Sequence, residues 1–194
     1  MTAAPLVLAS TSRYRRELLG RLHLPFTIMA SGVDETALPG EPPEILVARL
    51  ASAKAGALRN ACPTALIIGG DQLAVFDGNT IGKPANHDDA VRQLRAARGK
   101  SMLFLTALCL LNARSGQRQQ CIVPARVRMR DLDDAEIERY LEAERPYDCA
   151  GSAKIEGLGI ALVDKLECED PTALIGLPLI KLCAMLRNEG VAIP

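Results

Sequence analysis

Ala65-Leu-Ile-Ile-Gly-Gly-Asp-Gln72 decides the reading of the fold. Ala65 to Ile68 has no polar alternation, so both faces of the segment are apolar and a buried strand is expected. That strand stops at Gly69-Gly70-Asp71. Gln72 to Phe76 carries on from it towards a hairpin turn at Asp77-Gly78-Asn79. Upstream, Leu6-Val-Leu-Ala9 is a second buried strand, and Ser10-Thr-Ser12 offers caps for a helix running to about Leu22. Phe26 to Met29 is a further strand, and Pro42-Pro43-Glu44 opens a long helix to about Asn60. Downstream, Asn86 caps a helix to about Arg98 that Gly99 ends. Met102 to Leu111 and Cys121 to Met129 read as two long strands. Asp133 and Glu136 make a capping box for a helix to Glu144. A strand over Gly159 to Leu166 and a last helix from Pro178 to near Gly190 complete the chain. Early alternation of strand and helix followed by two adjacent long strands predicts an α/β fold with a mixed central sheet flanked by helices.

Composition bounds the function. The chain has 194 residues, with Lys+Arg 23 against Asp+Glu 23 and a formal net charge of 0. One domain is expected over 1–194. A balanced charge argues against a generic polyanion binder or a membrane-surface protein but leaves room for a local basic pocket. Hydrophobic residues at 48% supply a real core, whereas aromatics at 3% are too few for a nucleic-acid stacking platform. The longest apolar run, Met102 to Leu111, is too short to span a bilayer. No two of the 6 cysteines stand at C-x-x-C spacing, and no signal peptide is legible at the start, so a cytoplasmic protein with reduced thiols is expected.

An open α/β sheet places its site beyond the carboxyl ends of its strands. Ser10-Thr-Ser-Arg-Tyr-Arg-Arg16 lies there and concentrates Arg13, Arg15 and Arg16 near a helix start. Cations at that end are unfavourable by roughly 0.3–1 kcal/mol each. With hydroxyls and free backbone N–H groups beside them, they make an anion site instead, suited to phosphate. Asp71 follows two glycines that permit close approach, and its carboxylate can hold a divalent metal or orient water. Lys54 falls on the apolar stripe of its helix, four residues after Leu50, so it either snorkels or meets a buried anion. Glu35, in Val33-Asp-Glu35, reads by default as a solvated loop acid. Gly78-Asn-Thr-Ile-Gly-Lys-Pro84 imitates a P-loop and fails as one: it is one residue short, and Pro84 stands where Ser or Thr should ligate magnesium. Lys83 remains as a point charge for a phosphate.

These residues, in this order, resemble the Maf family of nucleotide pyrophosphatases. The matching pieces are Leu8-Ala-Ser-Thr-Ser12, Arg15 with Leu18-Leu19, Val33-Asp-Glu35, Lys54-Ala55, Gly70-Asp71, Gly82-Lys-Pro84, Ala150-Gly151, Glu156-Gly157-Leu158-Gly159 and Gly176-Leu-Pro178. They cover nearly the whole chain. The resemblance implies an α/β fold with a mixed sheet and a cleft between two lobes, and a divalent cation, Mg2+ or Mn2+. It also implies cleavage of a nucleoside triphosphate to the monophosphate and pyrophosphate. It makes Asp71 the catalytic acidic residue and proton acceptor, with Glu35 as its companion at the metal, and Ser10, Ser12, Arg15, Lys54 and Lys83 the phosphate-binding set. Tyr14, Gln72 and Glu156 occupy the three positions that set base choice, and an aromatic, Gln and Glu there match the branch acting on 7-methyl-GTP. The substrate is then the small-molecule partner, with no nucleic acid and no membrane, and a homodimer accords with the family's habit.

The pattern has a physical reason. N7-methylation makes guanine cationic, and an aromatic face attracts a cation by about 0.5–2 kcal/mol. A carboxylate can accept from the guanine N1–H and N2–H, each charge-assisted bond worth roughly 1.5–3 kcal/mol. Tyr14 is therefore expected to stack and Glu156 to read the edge. Three positions depart from the family pattern: Arg13 stands where a proline is usual, Tyr14 where the branch has Trp, and Gly70 where Ser or Ala is usual. A Maf-like pyrophosphatase of pyrimidine or broad specificity fits the same motifs. So does a nucleotide-binding regulator of septum formation without turnover.

Overall fold

A computed structural model describes residues 4–194. Its elements in chain order are β1 (Leu6–Leu8), α1 (Arg13–Gly20), β2 (Phe26–Ile28), α2 (Pro43–Ala57), β3 (Leu66–Phe76), β4 (Asn79–Ile81), α3 (His87–Ala97), β5 (Ser101–Asn112), β6 (Arg118–Met129), α4 (Asp134–Glu144), β7 (Val163–Cys168) and α5 (Leu179–Asn188). The strands form a seven-stranded sheet in the order β2-β1-β3-β5-β6-β7, with β4 paired to β3. β1 runs parallel to both neighbours, Leu6 standing opposite Phe26 on one side and Leu66 on the other. β4 is antiparallel to β3, and β7 to β6. The sheet is mixed and the fold α/β, as expected from the order of elements.

The chain divides into two compact units. One comprises the chain up to Gln72 together with Thr106–Val123 and Asp170–Pro194. Its core joins Leu6 and Leu8 of β1, Leu18 and Leu19 of α1, Leu66 and Ile68 of β3, Leu108 and Leu110 of β5, and Leu182 and Leu186 of α5. Each such fully buried side chain contributes about 1.5–3 kcal/mol by leaving water. The other unit comprises Leu73–Leu105 and Pro124–Glu169. There α3 packs on α4, and short 3-10 turns at Ala150–Ser152 and Leu158–Leu162 pack on these two helices. Among the described residues no helix is long and apolar enough to cross a membrane.

Local signals explain most boundaries. Ser12 caps α1 by accepting from the Arg15 N–H, and Asn86 caps α3 by accepting from Asp89. Asp133 and Glu136 form the reciprocal capping box of α4. Asp77 and Gly78 both have positive φ, 47° and 79°, the conformation that a tight hairpin between β3 and β4 needs.

Two expectations are corrected. β3 does not stop at Gly69 but runs unbroken to Phe76. Gly69 marks close packing rather than an end. A Cβ on Gly69 would collide with the Ala51 carbonyl and fall 2.7 Å from the Ala55 N of α2. Glycine in a strand interior often marks such an approach. The strand expected over Gly159 to Leu166 begins only at Val163, because Leu158–Leu162 closes into 3-10 turns.

The contact at Gly69 brings the α2 backbone down onto β3, and α2 carries Lys54. Gly69→Ala is therefore expected to lower stability by about 1–3 kcal/mol through overpacking, read as a fall in the urea midpoint at constant slope.

Candidate functional site

β1 ends at Leu8, and the Ala9 N–H still donates to the Ile68 carbonyl of β3, 2.8 Å away. Ser10 and the start of α1 are thereby fixed beside the middle of β3. Ser10 Oγ accepts from the Ser12 N–H at 3.1 Å and from Arg15 Nη1 at 3.4 Å. Arg15 Nε donates to the Gly176 carbonyl at 2.9 Å. No acidic residue occupies the first turn of α1, so its positive end is not neutralised from within. Gly70 lies against this arginine: a Cβ there would stand 3.4 Å from Arg15 Nε and 3.5 Å from the Ala107 carbonyl.

Lys54 and Asp71 are each only 5% exposed. Lys54 Nζ lies 2.7 Å from Asp71 Oδ1 and 2.7 Å from Glu35 Oε1, so one ammonium holds two carboxylates. Lys54 thus meets a buried anion rather than snorkelling, and Glu35 is drawn into the cluster although its side chain is exposed. Desolvation raises the pKa of Asp71 above the ordinary aspartate value, Lys54 and Arg15 oppose the rise, and Glu35 adds to it. Burial lowers the pKa of Arg15, against the pull of Asp71 and Glu35, and a guanidinium still stays charged. The result is a balanced set of two cations and two carboxylates, with the Lys54–Asp71 pair buried and Glu35 open to solvent.

Gln72 follows directly and is half-buried. Its Nε2 donates to Thr106 Oγ1 and to the carbonyls of Ala173 and Leu174, each at 3.0 Å. The half-buried Tyr14 has the Arg13 guanidinium 4.7 Å above its ring, with Arg13 Nη2 donating to its hydroxyl at 2.6 Å. A cation already sits against this aromatic face.

The structure brings Ser10, Ser12, Arg15, Glu35, Lys54, Asp71 and Gln72 together within the first unit. Lys83 and Glu156 belong to the second unit, where both are exposed. Glu156 sits in a turn fixed from below. The Glu144 carboxylate pairs with Lys154 and accepts from the Leu158 N–H at 2.7 Å. The buried Tyr140 hydroxyl accepts from the Lys154 N–H at 2.9 Å and donates to the Ser152 carbonyl at 3.2 Å. Desolvation leads the rise in the pKa of Glu156, with Glu144 and Asp148 adding to it and Lys154 opposing.

Sequence reading omits three supporting groups. Thr106 is one, inside an apolar strand with no polar neighbour to flag it. The other two are Asp170 and Thr172, whose signal was the Asp170-Pro-Thr172 turn before Pro178. Asp170 Oδ1 accepts from both the Thr172 N–H and its hydroxyl. Asp170 Oδ2 accepts from the Ile180 N–H, and Thr172 Oγ1 from the Leu179 N–H, so the pair caps α5.

A buried lysine paired with two carboxylates, close to the start of α1, is the charged centre of this α/β fold. The family profile described as Maf-like protein matches residues 5–189. Relatives of similar length carry the name 7-methyl-GTP pyrophosphatase. One from Polaromonas sp. is 55% identical over 99% of this chain and 88% of its own length. Those from Nitrosospira multiformis and Pseudomonas aeruginosa are each 54% identical, over 98% and 97% of this chain and 96% and 98% of their own. The chain belongs to the Maf family.

Lys54→Met leaves Asp71 buried without its partner, which costs about 3–5 kcal/mol for a broken buried pair. The folded-state pKa of Asp71 then rises further above its unfolded value, so the penalty attaches to the ionised form. Urea unfolding should show a large loss at neutral pH that shrinks in acidic buffer, as Asp71 becomes protonated.

Proposed function

We propose that this Maf-family hydrolase cleaves 7-methyl-GTP to 7-methyl-GMP and pyrophosphate. The observation that carries the reading is Lys54, held at 2.7 Å by both Asp71 and Glu35 next to the unneutralised start of α1. The names of the full-length relatives support the nucleotide. Arg15, Lys54 and the Ser10 and Ser12 hydroxyls at the helix start bind the triphosphate oxygens. Tyr14 receives the cationic methylguanine ring. Glu156 is the acid that the resemblance assigns to the guanine edge, and its turn is stiffened by Glu144 and Tyr140.

Water attacks phosphorus, the bridging oxygen bond between the α and β phosphates breaks, and pyrophosphate departs. The proton lost by water passes to the Asp71 carboxylate. Burial lifts the pKa of that carboxylate, which moves it towards the range useful for a base. Lys54 holds Asp71 in place and keeps it ionised.

A divalent cation fits the donor set. Among the described residues no three His, Cys, Asp or Glu gather as a cage. Mg2+ and Mn2+ instead take one or two carboxylates and complete their shell with water and substrate phosphates. Asp71 and Glu35, which already converge on one positive charge, would hold it. When bound, such an ion neutralises charge developing on the leaving pyrophosphate. The cytoplasm is the expected setting, where methylated nucleotides arise and thiols stay reduced.

A panel of 7-methyl-GTP, GTP, dTTP, UTP and CTP with magnesium tests the reading. The highest kcat/KM is expected for 7-methyl-GTP; equal rates would contradict the choice of base, and binding without turnover would contradict the enzyme. Asp71→Asn is expected to lower kcat at least about tenfold. Because Asp71 must be ionised, kcat/KM should fall as pH drops through the pKa of Asp71 in the metal-loaded enzyme, which a bound cation lowers relative to the metal-free protein.

A further inference from the structure

Between β2 and α2 the chain runs from 29 to 42 without helix or strand, and Glu35 lies in this stretch. Its carboxylate reaches Lys54, yet its side chain is 60% exposed. An ion pair that open to water holds a loop only weakly, so the backbone around Glu35 needs another anchor. Pro39 and Gly40 make a turn: the Glu41 N–H donates to the Leu38 carbonyl at 3.0 Å, and Gly40 takes a φ of 70°, as glycine does after proline in a tight turn. The Glu41 carboxylate folds back over this turn and accepts from the Leu38 N–H at 3.0 Å. Arg49 of α2 grips the same carboxylate twice, Nε to Oε1 at 2.6 Å and Nη2 to Oε2 at 2.7 Å. That Nη2 also donates to the Thr36 carbonyl at 3.1 Å. Thr36 is tied in turn to Asp34, whose Oδ1 accepts from its N–H at 2.9 Å and its hydroxyl at 2.6 Å. The Glu41 side chain is 4% exposed. Its hydrogen bonds from Arg49 and from Leu38 pull its pKa down to about 2, so the clamp stays charged throughout the neutral range.

Two successive residues of the loop are therefore held by two side chains of one helix. Lys54 takes Glu35 by its carboxylate, and Arg49 takes Thr36 by its carbonyl. We propose that Arg49 is a positioning residue for Glu35: clamped to Glu41, it hooks the Thr36 carbonyl and so sets the Glu35 carboxylate beside Lys54, where a divalent cation would be received. The inference rests on the reading above in which Asp71 and Glu35 hold that cation. Arg49 acts through the loop backbone rather than on the substrate. Its planar fork suits the task, since it meets two carboxylate oxygens and a carbonyl at once. A lysine ammonium, a single nitrogen, cannot reproduce that geometry.

Arg49→Lys keeps the charge and loses the fork, and Glu41→Gln weakens the clamp from the loop side. Hydrogen exchange of the metal-free protein should quicken over 33–41 in both variants and stay unchanged in α1 and β3. Mn2+ binding, titrated by electron paramagnetic resonance, should weaken about tenfold in each, the scale of loss when a group that orients a metal ligand is removed. The decisive comparison is made in a Glu35→Gln background. If Arg49 works through Glu35, Arg49→Lys costs no further Mn2+ affinity there. Unchanged exchange over 33–41 in both variants overturns the proposal. So does faster exchange with Mn2+ affinity intact, and so does an equal loss of affinity with and without the Glu35 carboxylate. A wild-type protein that binds no Mn2+, or a Glu35→Gln variant that binds it as well as wild type, overturns the cation reading itself, an outcome separate from these.

Discussion

Lys54 fixes the arrangement of everything around it. A lysine is almost never fully buried unless it is paired, and here the pair is double. The Asp71 carboxylate, itself desolvated, answers the ammonium from the strand, while Glu35 answers it from a loop. Removing either charge from water is expensive, and the geometry must be good to offset that cost. The backbone is arranged to make it good. Gly69 lets the Ala51–Ala55 turn of α2 press onto β3, and Asp71 lies two residues further along the same strand. A helix held at ordinary distance would carry the ammonium away from Asp71.

The neighbouring groups follow the same logic. Arg15 lies against Gly70, and its guanidinium adds a second positive charge felt by Asp71 and Glu35. Ser10 and the Gly176 carbonyl hold that guanidinium in one place. Two cations, two carboxylates and the positive end of α1 then share a small, partly dry volume. A polyphosphate brings more negative charge than the two carboxylates remove, so Arg15, Lys54 and the helix end are suited to receive it. The burial of Asp71 raises the proton affinity of its carboxylate, and the two cations oppose that rise.

Much of this was legible in the residues. Caps at Ser12, Asn86 and Asp133, and the hairpin at Asp77-Gly78, are short-range chemistry and read directly from the order of side chains. Lys54 announced itself by standing on an apolar stripe, and Asp71 by following an apolar run. Gly69-Gly70 was misread as a strand end because the reason for the glycines lies in α2, far away in sequence. Glu35 looked like a solvated acid because nothing nearby in the chain supplies its partner. Thr106 was silent for the same reason: its hydroxyl matters only through Gln72 and Ala173, each more than thirty residues distant. Periodicity and propensity report local preferences, whereas these three depend on long-range contacts. The base-sorting roles of Tyr14, Gln72 and Glu156 came from the family resemblance alone.

The proposed reaction requires the cluster at Asp71 to direct cleavage to the bridge between the α and β phosphates. Phosphorus NMR of 7-methyl-GTP turning over with the wild-type protein and magnesium tests it directly. The signals of 7-methyl-GMP and pyrophosphate should appear together in equal amounts. 7-Methyl-GDP with orthophosphate would place the cut one bond away and contradict it.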